Sequence, residues 1–248
     1  MARRKSLAFL DVGQGDCFVA DTKSGMIIFD GGSSSEDQVG RYRILPYMKY
    51  LGYQKIQIAV ISHMDIDHYS GIKELLEMGK IKYLGLPEIP KDETMKKIIG
   101  IAKKRGTTIF YLSRGRQITT KDGSLKVLHP QKNSQMEKNA ASLVMQGKIL
   151  GYRVLLTGDV EKEGEEELLS EELERADILK AAHHGSKNST SNEFLQKVQP
   201  KQTVISCGKQ NRYGHPHLET IHRLQTYRTK IYRTDRSGAI IFFKRRDG

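Results

Sequence analysis

Ile56-Gln-Ile-Ala-Val-Ile-Ser62 runs straight into His63-Met-Asp65-Ile-Asp67-His68, and helical spacing follows from Gly71 to Met78. The first stretch is β-branched and almost continuously apolar, as a strand buried on both faces must be. The four ligand-type side chains after it therefore stand on one strand-to-helix loop. Imidazole and carboxylate are the usual protein ligands for zinc, manganese and iron, and so many on one loop repel each other unless a cation is present.

Two further clusters share this setting. Leu155-Leu-Thr-Gly158-Asp159 is an apolar strand ending in a turn glycine and a carboxylate able to bridge two metals, and Ile178-Leu-Lys-Ala-Ala-His183-His184-Gly185-Ser186 is another strand ending in paired histidines. All three lie at the carboxyl ends of predicted strands, where open α/β sheets gather their active sites.

The rest of the chain supplies the layers. Short strands at Leu7–Val12, Cys17–Ala20 and Met26–Asp30 suggest an antiparallel start, and a helix is expected at Arg43–Leu51. Later helices read as 94–105, 163–174, 191–198 and 217–227, alternating with strands at 107–112, 154–157, 178–182, 203–206, 231 and 240–243. Meanders followed by strand-helix alternation imply a layered α/β protein with mixed sheets covered by helices. Gln131 to Lys138 reads as an exposed loop, too short for a linker, so residues 1–248 are expected to form one domain.

Composition narrows the class. Mean hydropathy of −0.53 is that of a globular chain, and no apolar run approaches the roughly 20 residues of a membrane span. The basic start is cut off by Asp11, against a signal peptide, so the chain as it stands is expected in the cytoplasm. An extracellular face is the alternative if it is an isolated domain of a membrane protein. Cys17 and Cys207 stand apart and outside any C-x-x-C pattern, so both are expected to be buried and reduced. A formal charge of +12 favours polyanionic partners, nucleic acid first among them. The basic residues are scattered, with clusters at Arg3-Arg4-Lys5 and Lys244-Arg245-Arg246, whereas Glu161 to Glu174 is acidic.

His63-x-Asp65-x-Asp67-His68 resembles the metal-binding motif of the metallo-β-lactamase superfamily. Asp11-Val-Gly-Gln-Gly-Asp16, Phe29-Asp30-Gly-Gly32, Leu156-Thr-Gly-Asp159-Val-Glu161, His183-His-Gly-Ser186 and Asn211-Arg-Tyr-Gly-His215-Pro216 are similar to the hydrolase domain of ComEC-type competence proteins. The resemblance spans nearly the whole chain. It implies an αββα sandwich of two mixed sheets flanked by helices, with a metal site at one sheet edge, and a nuclease related to DNA uptake.

Carried over by motif, the resemblance gives one divalent ion to Asp67, His68 and His183, a second to His63 and Asp65, and the bridge to Asp159. A metal-bound hydroxide would attack phosphorus or carbonyl, with Asp67 also orienting the nucleophile. Asp30 would support a ligand histidine from behind. Asp65 stands where the superfamily has a second histidine, and no further histidine occupies the expected place before Leu156, His129 being the one candidate. The oxygen-rich site favours Mn²⁺, with Zn²⁺ or Mg²⁺ as alternatives.

Ser186 and Lys187, with Asn188 and Ser189, are phosphate-binding candidates, and Asn211, Tyr213 and His215 form a polar turn expected at the site, with His215 contacting substrate or donating a proton. Asn139 and Ser142 are placed near the cleft. DNA or another phosphodiester is the expected substrate. The alternatives are hydrolysis of a small phosphoester, lactone or thioester, and a nucleic-acid-binding module with weak or lost catalysis.

Overall fold

The computed structural model describes residues 4–136, 138–171 and 173–244, so part of each terminal basic cluster and Glu137 lie outside the described residues. The first sheet holds β1 (Ser6–Phe9), β2 (Phe18–Thr22), β3 (Gly25–Phe29), β4 (Ile56–Val60), β5 (Ile81–Pro87) and β6 (Thr108–Leu112), with β14 (Ile240–Phe243) returning to its edge in the order β14-β1-β2-β3-β4-β5-β6. The second holds β7 (Gln117–Thr120), β8 (Gly123–His129), β9 (Val144–Ile149), β10 (Tyr152–Leu156), β11 (Ile178–Lys180), β12 (Gln202–Ile205) and β13 (Lys230–Arg233) in the order β13-β12-β11-β10-β9-β8-β7.

Each sheet is antiparallel at one end and parallel at the other. Parallel neighbours require crossovers. Helices α1 (Leu45–Tyr50), α2 (Ile66–Glu77) and α3 (Glu93–Lys104) make them for the first sheet, and α4 (Lys162–Leu169), α5 (Asn192–Val198) and α6 (Leu218–Thr226) for the second. The short α7 (Thr234–Ser237) leads into β14.

Alternation along the strands builds the four layers. Leu7 and Phe9 of β1 join Phe18, Met145, Val154 and Leu156 between the sheets. Ala8 instead faces outward with Ile28, Ile72 and Leu75 against the first helical layer, and Leu155 and Leu179 pack on Phe194 and Leu224 in the second. The result is the αββα sandwich. Among the described residues no helix is long and apolar enough to cross a membrane. Cys17 and Cys207 are free and buried.

The structure departs from the sequence expectation in places with plain causes. Helix α2 starts at Ile66, so Asp67 and His68 lie in its first turn, where the exposed amides favour carboxylates. The helix expected at 163–174 ends at Leu169. Strands β5, β7, β8 and β9 were absent from the sequence reading: β5 carries Gly85 and Pro87, residues that read as turn, although a Cβ at Gly85 would lie 2.9 Å from the Phe110 ring, so only glycine suits that pairing.

Candidate metal centre

The carboxyl ends of β3 and β4 in one sheet and of β10 and β11 in the other meet at one rim of the sandwich. Asp30 follows β3, His63 follows β4, Asp159 follows β10, and the histidine pair follows β11. Glycines let the loops approach to backbone contact. A Cβ on Gly15 would lie 2.2 Å from the Gly32 carbonyl oxygen and 2.7 Å from that of Asp67, and one on Gly32 would lie 2.5 Å from the Ile66 carbonyl. Across these gaps the Asp16 amide donates to the Asp67 carbonyl at 3.0 Å and the Gly31 amide to His68 at 2.9 Å.

One oxygen or nitrogen from each of Asp67, His68, Asp159 and His184 lies within 4.8 Å of all the others. Asp159 Oδ2 is 3.1 Å from His68 Nε2 and 3.4 Å from His184 Nε2, which is itself 3.3 Å from Asp67 Oδ2. The other ring nitrogens are taken: His68 Nδ1 donates to Asp30 at 2.9 Å and His184 Nδ1 to the Ser206 carbonyl at 3.0 Å. Asp30, wholly buried, also accepts from the Ser62 amide and hydroxyl at 2.7 and 2.8 Å. Each Nε2 is therefore aimed inward. His63 Nε2, His68 Nε2, His184 Nε2 and Asp159 Oδ1 are buried without a hydrogen-bond partner, the arrangement a cation completes.

Electrostatics agree. Burial works against every charge here, yet Asp159, beside His184 and His68, is held well below the usual carboxylate range, and those histidines are held well above theirs chiefly by Asp159. A divalent ion among these groups would compete with protons for the histidines.

His63 is buried, its ring 4.1 Å from that of His68, with Nδ1 3.0 Å from Ser62 Oγ and 3.2 Å from Ser142 Oγ. Asp65 is half exposed and 3.7 Å from His63 Nε2. Sequence reading gave a ligand role to His183, whereas the four-residue group whose ligand atoms lie together contains His184. His183 is partly exposed, donates through Nδ1 to Glu161 at 2.8 Å, and directs Nε2 to 3.8 Å from Asp159. Both histidines have left-handed backbone, φ 47° and 52°, so strand alternation does not decide which faces in. His129 lies apart, its Nε2 donating to the Ala140 carbonyl.

The remaining candidates divide. The Ser186 hydroxyl accepts from the Asn188 amide inside its own turn, and Lys187 is exposed on the rim of a cleft of about 680 Å³ that also borders Glu161 and Arg223. That cleft adjoins the ligand cluster through Glu161 and His183. The Asn211 side chain is occupied within its loop, donating to the carbonyls of Gly208 and His215 and accepting from the His215 amide. His215 lies 6.1 Å from His184, ring to ring, and burial with the neighbouring imidazoles lowers its pKa to about 4. Asn139 Oδ1 is buried without a partner, and Ser142 Oγ accepts from the Asp159 amide at 3.3 Å.

Sequence reading gave no role to Asp16, Lys180 or Glu161, although Asp16 and Glu161 end motifs it quoted. Lys180 Nζ lies 2.6 Å from Asp16 Oδ2, a buried pair beneath the site, and Asp16 Oδ1 is 3.5 Å from His184 Nδ1.

The profile of the metallo-beta-lactamase superfamily matches residues 10–209. "ComE operon protein 3" of Bacillus subtilis (strain 168) is 37% identical over 259 residues, covering 96% of this chain and 33% of that protein. "Competence protein ComA" of Neisseria gonorrhoeae is 30% identical, covering 96% and 32%. The chain thus spans about a third of the length of these relatives. Among solved structures, the metallo-beta-lactamase fold protein YhfI from Bacillus subtilis superposes with a TM-score of 0.62 at 13% identity, covering 97% of this chain and 99% of that one. The matched profile, the two-sheet architecture and these identities place the chain in the metallo-β-lactamase superfamily, among relatives of the competence proteins.

Proposed function

We propose that the chain is a metal-dependent phosphodiesterase acting on DNA. The observation that carries this reading is the cluster of Asp67, His68, Asp159 and His184, in which His68 Nε2, His184 Nε2 and Asp159 Oδ1 are buried without a hydrogen-bond partner. Competence proteins as relatives and a formal charge of +12 support DNA as the substrate.

Asp67, His68 and His184 would hold one ion and His63 with Asp65 a second, Asp159 reaching both. When bound, such ions neutralise phosphate charge and make water a better nucleophile at neutral pH. Three carboxylates beside three imidazoles make the set harder than an all-histidine site, which suits Mn²⁺ better than such a site would and accommodates Zn²⁺ or Mg²⁺ as well. The chain's own residues orient the ligands: Asp30 fixes the His68 ring, the Ser206 carbonyl fixes His184, and Ser62 and Ser142 hold His63. His215, with its lowered pKa, keeps a neutral ring at pH 7 and hydrogen-bonds substrate instead of donating from an imidazolium. Lys187, exposed on the rim, would meet a phosphate as it arrives.

The test is turnover by metal-stripped and Mn²⁺-loaded protein of single-stranded and duplex DNA, beside a small phosphodiester, a lactone and a thioester. Mn²⁺-dependent DNA cleavage is expected. Turnover confined to the lactone or thioester would overturn the reading, and DNA binding without turnover of any compound would make the chain a binding module.

A further inference from the structure

The Asn211–His215 loop carries an exposed aromatic group beside the ligand cluster. Tyr213 is 43% exposed. One face of its ring stacks on His215, centroids 5.7 Å apart and planes 22° from parallel, and His215 in turn packs against His183 at 5.3 Å. The Arg212 guanidinium carbon lies 4.9 Å from the Tyr213 centroid, and its Nη2 donates to the Tyr213 hydroxyl at 2.7 Å. Tyr213 and Arg212 thus extend the ring contacts of the histidines out to solvent, with the parallel stack confined to Tyr213 and His215.

Hydrogen bonds of Asn211 brace the loop. Asn211 accepts the His215 amide at 2.9 Å and donates to the Gly208 carbonyl at 2.9 Å and the His215 carbonyl at 2.6 Å. An exposed tyrosine would gain by burying its ring, and here the loop holds it outward. His215 and Arg212 both lie against the ring, and the surface they leave open to solvent is flat, with room for a further flat group.

We propose that Tyr213 and Arg212 form a stacking platform for one unpaired nucleobase of a polynucleotide whose phosphate lies at the metal centre. The inference rests on the phosphodiesterase reading and adds what that reading lacks, a reason for the substrate to be single-stranded at the site. A paired base hides both faces in the duplex, whereas an unpaired base offers its π face to an aromatic ring or a guanidinium plane regardless of sequence. The rings of His184, His215 and Tyr213 succeed one another at centroid spacings of 6.1 and 5.7 Å, so the platform stands beside the ligand cluster on the path of a bound strand. Cation and ring together also suit the site electrostatically, because the guanidinium meets the polyanion while the ring holds the base.

Binding of a fluorescent single-stranded thymidine oligomer and of an abasic oligomer of equal length decides the matter, read by anisotropy at one salt concentration. The wild type is expected to favour the base-bearing oligomer by roughly fivefold to a hundredfold, the worth of one base-aromatic stack. Tyr213→Ala should bring the ratio near one, Tyr213→Phe should keep it, and Arg212→Lys, which retains charge but loses the plane, should reduce it. A misfolded loop would also weaken binding of the abasic oligomer, which loss of the stack alone leaves unchanged, so the ratio is read beside the abasic affinity, and an unchanged ratio in Tyr213→Ala overturns the platform. A wild type that shows the ratio yet cleaves no phosphodiester with Mn²⁺ leaves the platform in place and overturns the phosphodiesterase reading.

Discussion

His183 and His184 are neighbours in sequence and opposites in placement. His184 is 1% exposed and faces Asp67 and Asp159, whereas His183 reaches Glu161 at the rim. His184→Ala is expected to lower the affinity of metal-stripped protein for Mn²⁺ by more than about a hundredfold, the upper range for loss of a mere supporting group, and His183→Ala by about tenfold or less. Calorimetric titration of the two variants checks this, and the opposite ranking would return the ligand role to His183. The sequence made the choice between them illegible, because two successive left-handed residues break the alternation by which a strand assigns its faces. For Asp30 the role came from the resemblance of Phe29-Asp30-Gly-Gly32 to a family motif, since a carboxylate after a strand reads equally as a simple turn residue, and its contact with His68 is tertiary information.

Close packing of the loops turns on elements without side chains. Gly32→Ala would push a methyl group to 2.5 Å from the Ile66 carbonyl and 2.6 Å from the His68 amide, displacing the first turn of α2 with Asp67 and His68. The expected cost is about 1–3 kcal/mol of stability, together with weaker metal binding. Denaturant melts and metal titration of Gly32→Ala read both, and retention of wild-type metal affinity would show that the loops are looser than these contacts require. At the end of β8, His129 is wholly buried, donating to the Ala140 carbonyl and lying 3.2 Å from Glu167 of α4. Burial lowers its pKa, with the Ala140 carbonyl and Glu167 opposing. A folded-state pKa below the unfolded value of about 6.5 means that the unfolded chain takes up the proton first, so this contribution is intact above pH 6.5 and declines as pH falls below it. His129→Gln, which keeps a donor, should lose less stability than wild type between pH 7 and 5. Parallel slopes in urea melts would remove His129 from the account. Strand β8 itself was hard to read because its apolar residues share the stretch with glycine, serine and lysine, and its pairing with β7 and β9 is long-range information.

At the scale of the molecule, an excess of positive charge without a recognisable base-reading element implies binding dominated by phosphate contacts. Affinity for single-stranded DNA is expected to fall about a hundredfold or more between roughly 50 and 200 mM salt and to vary little with sequence. Anisotropy titrations that give the same affinity at both salts would rule this out. The layered architecture was legible because ligand motifs and strand-helix alternation agree on where strands end, while strand order was not, since β14 joins β1 across almost the whole chain. That pairing has a mechanical consequence. Ser6 stands opposite Phe243 in an antiparallel ladder, and the Lys244 amide donates to the Lys5 carbonyl at 2.7 Å, so the two ends of the described chain leave the sandwich side by side. Tension on those ends loads the ladder one bond at a time, like a zip, instead of shearing all its bonds together. β14 peels first at the outer edge. The strands that carry the histidines and carboxylates lie farther in or in the opposite sheet, so tugging on the ends leaves the ligand cluster assembled until that edge has opened.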